Sequence, residues 1–213
     1  MSSATVDVVE LFCIPLIHLT IEDDTDELKT CSEYVSSHDQ AQKYNDLKNF
    51  TTKPNFRILE KFPKTKDILT RASNASLNKF HKFSNEFVIS TSWLTKTKKG
   101  QGCNLHDHKN CVFSGVYYYG DYDDDVGNIT FRNPFVDMSS YMLNSYEPTL
   151  YNQPFMEVKP QDKSLIIFPS YLKHMIVNHK SEMTRHSLAF NLVPINQYGN
   201  SDSLCDTQFL INN

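Results

Sequence analysis

The sequence predicts a mainly β chain, a sandwich or barrel of short strands, with helical support in its N-terminal third. Three observations carry this. From about residue 86, short runs rich in β-branched and aromatic residues recur between Gly, Pro, Asn and Asp turn signals. Before that point, apolar residues fall at helical spacing. The 213 residues are 39% hydrophobic and 12% aromatic, with 14 Phe and 11 Tyr, which is enough to build a core and argues against wholesale disorder.

The first element is an extended opening segment, VVELFCIPLIHLTI at residues 8–21, broken at Pro15. Residues 23–44 start with acidic and Thr cap candidates and space Leu28, Cys31, Tyr34 and Val35 as a helix does. Pro54 and Pro63 punctuate the next stretch. A second helix is expected over 66–83, with Ile68, Ala72, Ala75 and Phe80 along one side. EFVISTSWLTKT then alternates, with Phe87, Ile89, Thr91 and Trp93 on one face. Lys96, Lys98 and Lys99 lie in the turn 96–102 and read as solvated. The runs 112–120, 127–132, 155–158, 164–169, 174–178 and 185–193 are expected strands. DYDDD, residues 121–125, lacks the spaced oxygens and glycine of a calcium loop, so it reads as an exposed hairpin turn. The stretch 133–154 is polar but carries Tyr141, Met142, Tyr146 and Tyr151; it is a binding loop or lid, or else a disordered insertion. The tail, 195–213, is polar in its middle and reads as a swapped arm or a loose end. No internal repeat interrupts this order.

Composition narrows the function. A net charge of -4 supplies no basic field to hold a phosphate backbone, so nucleic acid is not an expected partner. Five cysteines, Cys13, Cys31, Cys103, Cys111 and Cys205, include no CxxC pair, which favours a reduced intracellular protein over a disulfide scaffold. The N-terminal apolar run has no basic segment before it, and no stretch approaches the roughly 18–20 apolar residues needed to span a bilayer. A cytoplasmic protein without membrane contact is expected.

The chemistry concentrates at CNLHDHKN, 103–110. In an extended strand His106 and His108 share a face while Asp107 points away. Two imidazoles on one face can start a transition-metal site, though such a pair also occurs by accident on surfaces. A third ligand has to come from another strand. His174 begins the run HMIVN at a strand edge, where a side chain can face a cavity. His179 sits in a polar turn and reads as solvated, and His186 faces away from Arg185 and Ser187. Those two residues share a strand face with Ala189 and Asn191. An inward arginine needs a carboxylate or phosphate, either from a small acid or from the chain itself.

The ordering is specific: HxH, a gap of 65 residues (109–173), a histidine, ten residues (175–184), then Arg-x-Ser. It resembles the iron(II)- and 2-oxoglutarate-dependent oxygenases. NLHDHKN, SGVYYYG, ITFRNP, LIIFPSYLKH and RHSLAFN together look like a prolyl-hydroxylase-like subgroup common in bacteria and marine phages. The likeness covers roughly residues 86–194, and the opening VELFCIPLIHL is similar as well. It implies a double-stranded β-helix, a jelly-roll or cupin-like barrel, with the N-terminal helices packed outside. It implies one oxygenase domain over 1–213, with 1–85 as support, 86–194 as the core and 195–213 as a tail. His106, His108 and His174 match the metal ligands. Arg185 matches the arginine that holds the far carboxylate of 2-oxoglutarate, helped by Ser187 and Tyr118. Ser114, Val116 and Tyr118 alternate onto the same face, while Tyr117 and Tyr119 point into packing. Asn104 and Trp93 are candidates for the entrance, with packing as the other role for Trp93. The implied cofactors are Fe(II) and 2-oxoglutarate, with ascorbate as a candidate reductant. The implied reaction is hydroxylation, candidate substrates being peptidyl residues such as proline, with dioxygen as co-substrate and succinate as co-product. A homodimer is a candidate assembly, and a phage-encoded copy would act in the host cytoplasm.

The chain departs from the family in one respect: His108 stands where most members have a carboxylate. Asp107 could replace it as ligand if the turn is irregular. Two rivals also fit the barrel, a three-histidine cupin-type dioxygenase that does not use 2-oxoglutarate and a non-catalytic jelly-roll binding or structural module.

Overall fold

A computed structural model describes residues 10, 13–22, 27, 30, 42–44, 49–51, 57–135, 147–177 and 179–207. Its strands form two antiparallel sheets. The larger runs β1 (Ile17–Thr20), β9 (Ser164–Pro169), β6 (Phe113–Tyr118), β11 (Arg185–Pro194), β4 (Phe87–Thr97), β3 (Asn49–Thr51) and β2 (Gln42–Tyr44). The smaller runs β5 (Cys103–His106), β10 (His174–Ile176), β7 (Ile129–Arg132) and β8 (Phe155–Val158). The chain passes back and forth between them, and the two sheets stay separate, so the jelly roll is open rather than a closed barrel. Among the described residues, no helix is long and apolar enough to cross a membrane.

The larger sheet is covered on both sides, and this explains its sequence. β6 and β9 are buried at every residue, as continuous apolar runs must be when both faces are dry. One face meets the helix Pro63–His81 through Tyr117, Leu165, Ile167, Leu188 and Phe190. The other meets the smaller sheet through Val116, Tyr118, Ile166, Phe168 and Ala189, packed with Ile129 and Phe131. The expected split between Tyr118 and its neighbours Tyr117 and Tyr119 is therefore present. Gly115 pairs with Phe190, and a Cβ there would lie 2.2 Å from the Phe190 ring, so glycine is the residue that lets the ring cross the strand.

Two expectations about faces need correction. Phe87, Ile89, Thr91 and Trp93 do not share one face. The pairing of β11 with β4 slips between Asn191 and Leu192, opposite Ile89 and Thr91. This bulge inserts Ser90, and an extra residue in a strand inverts the faces beyond it. Phe87 and Ile89 therefore join the helix-side core with Leu94, while Thr91 and Trp93 turn towards the space between the sheets.

The second helix exists, and Ile68 and Ala72 of its expected side pack against the core, but the most buried stripe lies one position over. Its core positions are Thr65, Leu69, Ser73 and Leu77, one every four residues, whereas Phe80 is 61% exposed. Ser73 can be buried because its hydroxyl donates to Leu69 O at 2.7 Å. Asn74 donates to Phe87 O and accepts from Phe87 N, both at 2.8 Å, and so pins the helix to β4. Pro63 opens the helix, Glu27 accepts from Thr65 N at 2.9 Å, and Lys82 closes it in the left-handed region.

Of the helix expected over 23–44, Glu27 and Thr30 are helical, but Gln42–Tyr44 is strand β2 and the remainder lies outside the described residues. Residues 136–146 of the 133–154 stretch also lie outside them; at its base Asn133 N donates to Pro154 O at 2.9 Å. The tail turns back on itself as the hairpin β12 (Gln197–Tyr198) and β13 (Cys205–Asp206).

Candidate metal centre

The three histidines meet because of strand pairing. His174, first residue of β10, sits opposite His106, last residue of β5, and their ring centroids are 4.4 Å apart. The strand ends at His106, so His108 is not delivered by β alternation. Instead its backbone N–H donates to Ser170 O at 3.0 Å. Its ring still lies 5.2 Å from that of His106 and 5.1 Å from that of His174. One ring nitrogen from each comes within 4.8 Å of the others.

The hydrogen bonds decide which nitrogen that is. His106 Nδ1 is 2.8 Å from Asn104 O, and His174 Nδ1 is 2.9 Å from Leu172 O. His108 Nδ1 is 2.7 Å from Asn191 Oδ1 and 2.9 Å from Ser114 Oγ. Carbonyl and amide oxygens only accept, so all three Nδ1 atoms carry a hydrogen, and the lone pair of the neutral ring then lies on Nε2. Burial drives the His174 pKa down to about 3, and burial also lowers that of His108. Both are neutral at physiological pH, as ligands must be. Imidazoles that present Nε2 to one another in this way suit a first-row transition metal such as Fe(II). Asp107 takes no part in this cluster. Its carboxylate pairs with Lys109 at 2.8 Å, and that pairing lowers its pKa.

The three rings open on a cavity of about 400 Å³ between the sheets, with Trp93, Tyr118 and Arg185 also on its wall. Strand register places them: Ser187 pairs with Tyr118 and with Thr95 across the larger sheet, and Asn191 with Ser114 and Thr91. Arg185 is only 1% exposed. Its Nε donates to Gly127 O at 3.0 Å, its Nη2 to Tyr118 Oη at 3.0 Å, and its Nη1 reaches Ser187 Oγ at 3.4 Å. Burial raises the Tyr118 pKa, so the phenol stays neutral beside the guanidinium. Arg185 takes part in none of the ion pairs among the described residues. A buried guanidinium held by neutral oxygens alone is costly unless an anion joins it. Of the two partners open at the sequence level, a bound acid therefore fits better than a chain carboxylate.

Other expected residues sit differently. Asn104 is exposed and off the cavity wall; it acts through its carbonyl, because the short strand β5 turns its side chain outward. Ser114 is buried behind His108 rather than open to ligand. Trp93 lines the cavity, its ring 5.4 Å from that of His108. His179, expected to be solvated, is 1% exposed. Its Nδ1 accepts from Gly127 N at 3.1 Å and its Nε2 meets Met183 O at 2.6 Å, so backbone groups satisfy it inside a polar-looking turn. His179 thus buttresses Gly127, whose carbonyl holds Arg185. In the sequence Asn191 is only a neighbour of Ser187 on the β11 face; its contact with His108 depends on the path of the loop after β5, which is not visible there.

Residues 91–191 match the family described as "Putative 2OG-Fe(II) oxygenase". No curated protein matches the sequence. Among solved structures, the chain resembles a 2OG-Fe(II) oxygenase family oxidoreductase from Burkholderia pseudomallei, with a TM-score of 0.59 and 13% identity over 84% of this chain and 85% of that one. It resembles HygX from Streptomyces hygroscopicus, solved with nickel, 2-oxoglutarate and hygromycin B, at 0.57 and 9% over 85% and 83%. It also resembles a prolyl-4-hydroxylase from Pseudomonas putida, at 0.53 and 12% over 84% and 92%. At these identities the structural likeness is one of fold. The match over 91–191 makes that stretch, which carries the three histidines and Arg185, similar to the 2OG-Fe(II) oxygenases. Such enzymes are non-haem iron oxygenases that use 2-oxoglutarate and dioxygen as co-substrates.

Proposed function

We propose that His106, His108 and His174 hold the iron through Nε2, and that Arg185, with Ser187 and Tyr118, holds the far carboxylate of 2-oxoglutarate. The chain then hydroxylates an unactivated C–H bond, with 2-oxoglutarate decarboxylated to succinate. The observation that carries this is the set of three Nδ1 hydrogen bonds, which leaves three Nε2 lone pairs on one cavity wall. When bound, the iron supplies the oxidising chemistry on dioxygen. The protein's own work is orientation and dryness. Arg185 and Tyr118 fix one end of the acid, Trp93 and Val116 shield the cavity, and the jelly roll keeps these groups on rigid strands.

For substrate we propose a peptidyl residue such as proline. The fold is shared with the Pseudomonas putida prolyl-4-hydroxylase. A second cavity of about 580 Å³ shares His108 and Lys109 with the first and is walled by Pro15, Phe113 and Tyr171, which offers an extended chain a route to the metal. A three-histidine dioxygenase without 2-oxoglutarate would use the same triad but leave Arg185 without an anion. A test is incubation with Fe(II), 2-oxoglutarate and proline-containing peptides, following succinate by NMR and oxygen insertion by mass. Succinate that persists in His108→Ala would refute the ligand set. Succinate without any oxidised peptide would refute the substrate class alone.

A further inference from the structure

We propose that Asn191 is the positioning residue that makes His108 a metal ligand, by fixing its tautomer. The inference rests on the metal-ligand reading above. His106 and His174 are oriented by backbone carbonyls, which cannot turn round. His108 alone is oriented by a side-chain amide, and an amide presents an acceptor on one side and a donor on the other. Which side faces His108 decides which of its nitrogens keeps the lone pair.

In the structure Oδ1 faces the imidazole, 2.7 Å from His108 Nδ1, and Asn191 Nδ2 donates to Thr91 Oγ1 at 2.9 Å. Ser114 Oγ donates to the same Oδ1 at 2.9 Å and lies 2.9 Å from Ser170 Oγ. One set of donors matches these distances: Ser170 Oγ to Ser114 Oγ, Ser114 Oγ to Asn191 Oδ1, His108 Nδ1–H to Asn191 Oδ1, and Asn191 Nδ2 to Thr91 Oγ1. Turning the amide over would set Nδ2 against His108 Nδ1, while the Thr91 hydroxyl can reverse and donate to Oδ1. Nδ1 would then have to accept, the hydrogen would move to Nε2, and the lone pair that faces the cavity would be gone. Thr91 and Asn191 meet as partners at the end of the regular ladder of β11 with β4, next to the bulge at Ser90.

Outer partners of metal-bound histidines typically change metal affinity about 10–100-fold when removed. The test is Co(II) titration of the full chain followed by its visible d–d absorption, with circular dichroism and thermal unfolding as fold controls. Asn191→Ala is expected to weaken Co(II) about 10–100-fold and shift the band, with the fold retained. Asn191→Asp keeps an acceptor towards Nδ1, with Thr91 able to reverse its hydroxyl, and is expected to bind as tightly as wild type or tighter. Thr91→Val, which touches no ligand, is expected to weaken binding by freeing the amide, and it keeps the test alive if Asn191→Ala does not fold. Wild-type affinity in Asn191→Ala, or Asn191→Asp as weak as Asn191→Ala, overturns the assignment while leaving the triad standing. A wild-type chain that binds no Co(II) overturns the ligand reading and this inference with it.

Discussion

Replacing Arg185 with methionine separates a structural arginine from one that serves a ligand. The guanidinium is 1% exposed and rests on three neutral oxygens, Gly127 O, Tyr118 Oη and Ser187 Oγ. Without an anion it carries a desolvation cost that those bonds only partly offset. Methionine has similar length and no charge, and the cavity beside it admits water to the oxygens left behind. Removing an isolated buried charge in this way is commonly neutral or stabilising, so the metal-free protein should change by no more than about 1–2 kcal/mol. Binding of 2-oxoglutarate should respond very differently. Loss of two charge-assisted hydrogen bonds, at about 1.5–3 kcal/mol each, less what water regains, leaves a deficit of about 3–4 kcal/mol. At about 1.4 kcal/mol per decade, that weakens the acid about 10²–10³-fold. Urea unfolding gives the first quantity, and calorimetric titration of 2-oxoglutarate into the Zn(II)-loaded protein gives the second. Unchanged affinity with a stability loss of about 3–5 kcal/mol would refute the reasoning and make Arg185 a structural ion.

Three further outcomes are expected. Gly115→Ala drives a methyl into the Phe190 ring and should destabilise by about 1–3 kcal/mol, read from the denaturation midpoint; an unchanged midpoint would mean the sheet can shift there. Asn74→Ala removes both bonds to the Phe87 backbone and should cost about 1–3 kcal/mol by the same measurement. Burial lowers the His174 pKa from 6.5 to about 3, so between those values the unfolded chain binds more protons than the folded one. Stability is full above pH 6.5 and is lost as pH falls, by at most about 1.4 kcal/mol per unit. Metal-free protein should therefore be weaker at about pH 5 than at about pH 7, and His174→Gln should flatten that dependence; equal slopes in the two would contradict it.

Much of the fold was legible because it depends on local pattern. The strand runs 112–120, 164–169 and 185–193 became β6, β9 and β11, since continuous apolar character and alternating polarity survive any packing. The spacing of His106, His108, His174 and Arg185 was equally plain, because a site spread over strands leaves its residues at characteristic intervals. What failed depends on pairing. A single inserted residue at Ser90 inverted the faces of β4, so that Phe87 and Ile89 part from Thr91 and Trp93. His179 looked solvated because its neighbours are polar, yet the backbone of Gly127 and Met183 encloses it. The helix turned Leu69 and Leu77 inward rather than Ala75 and Phe80, since the buried stripe was set by where β4 and Asn74 hold it.

Anaerobic titration tests most directly whether three histidines and one buried arginine bind Fe(II) with 2-oxoglutarate. Metal-free protein receives Fe(II) and then 2-oxoglutarate while the visible charge-transfer band of the chelated acid is followed. The band is expected to appear at one equivalent of each, to be lost in His174→Ala, and to need far more 2-oxoglutarate in Arg185→Met. Stoichiometric iron with no band in the wild-type protein would contradict that assignment.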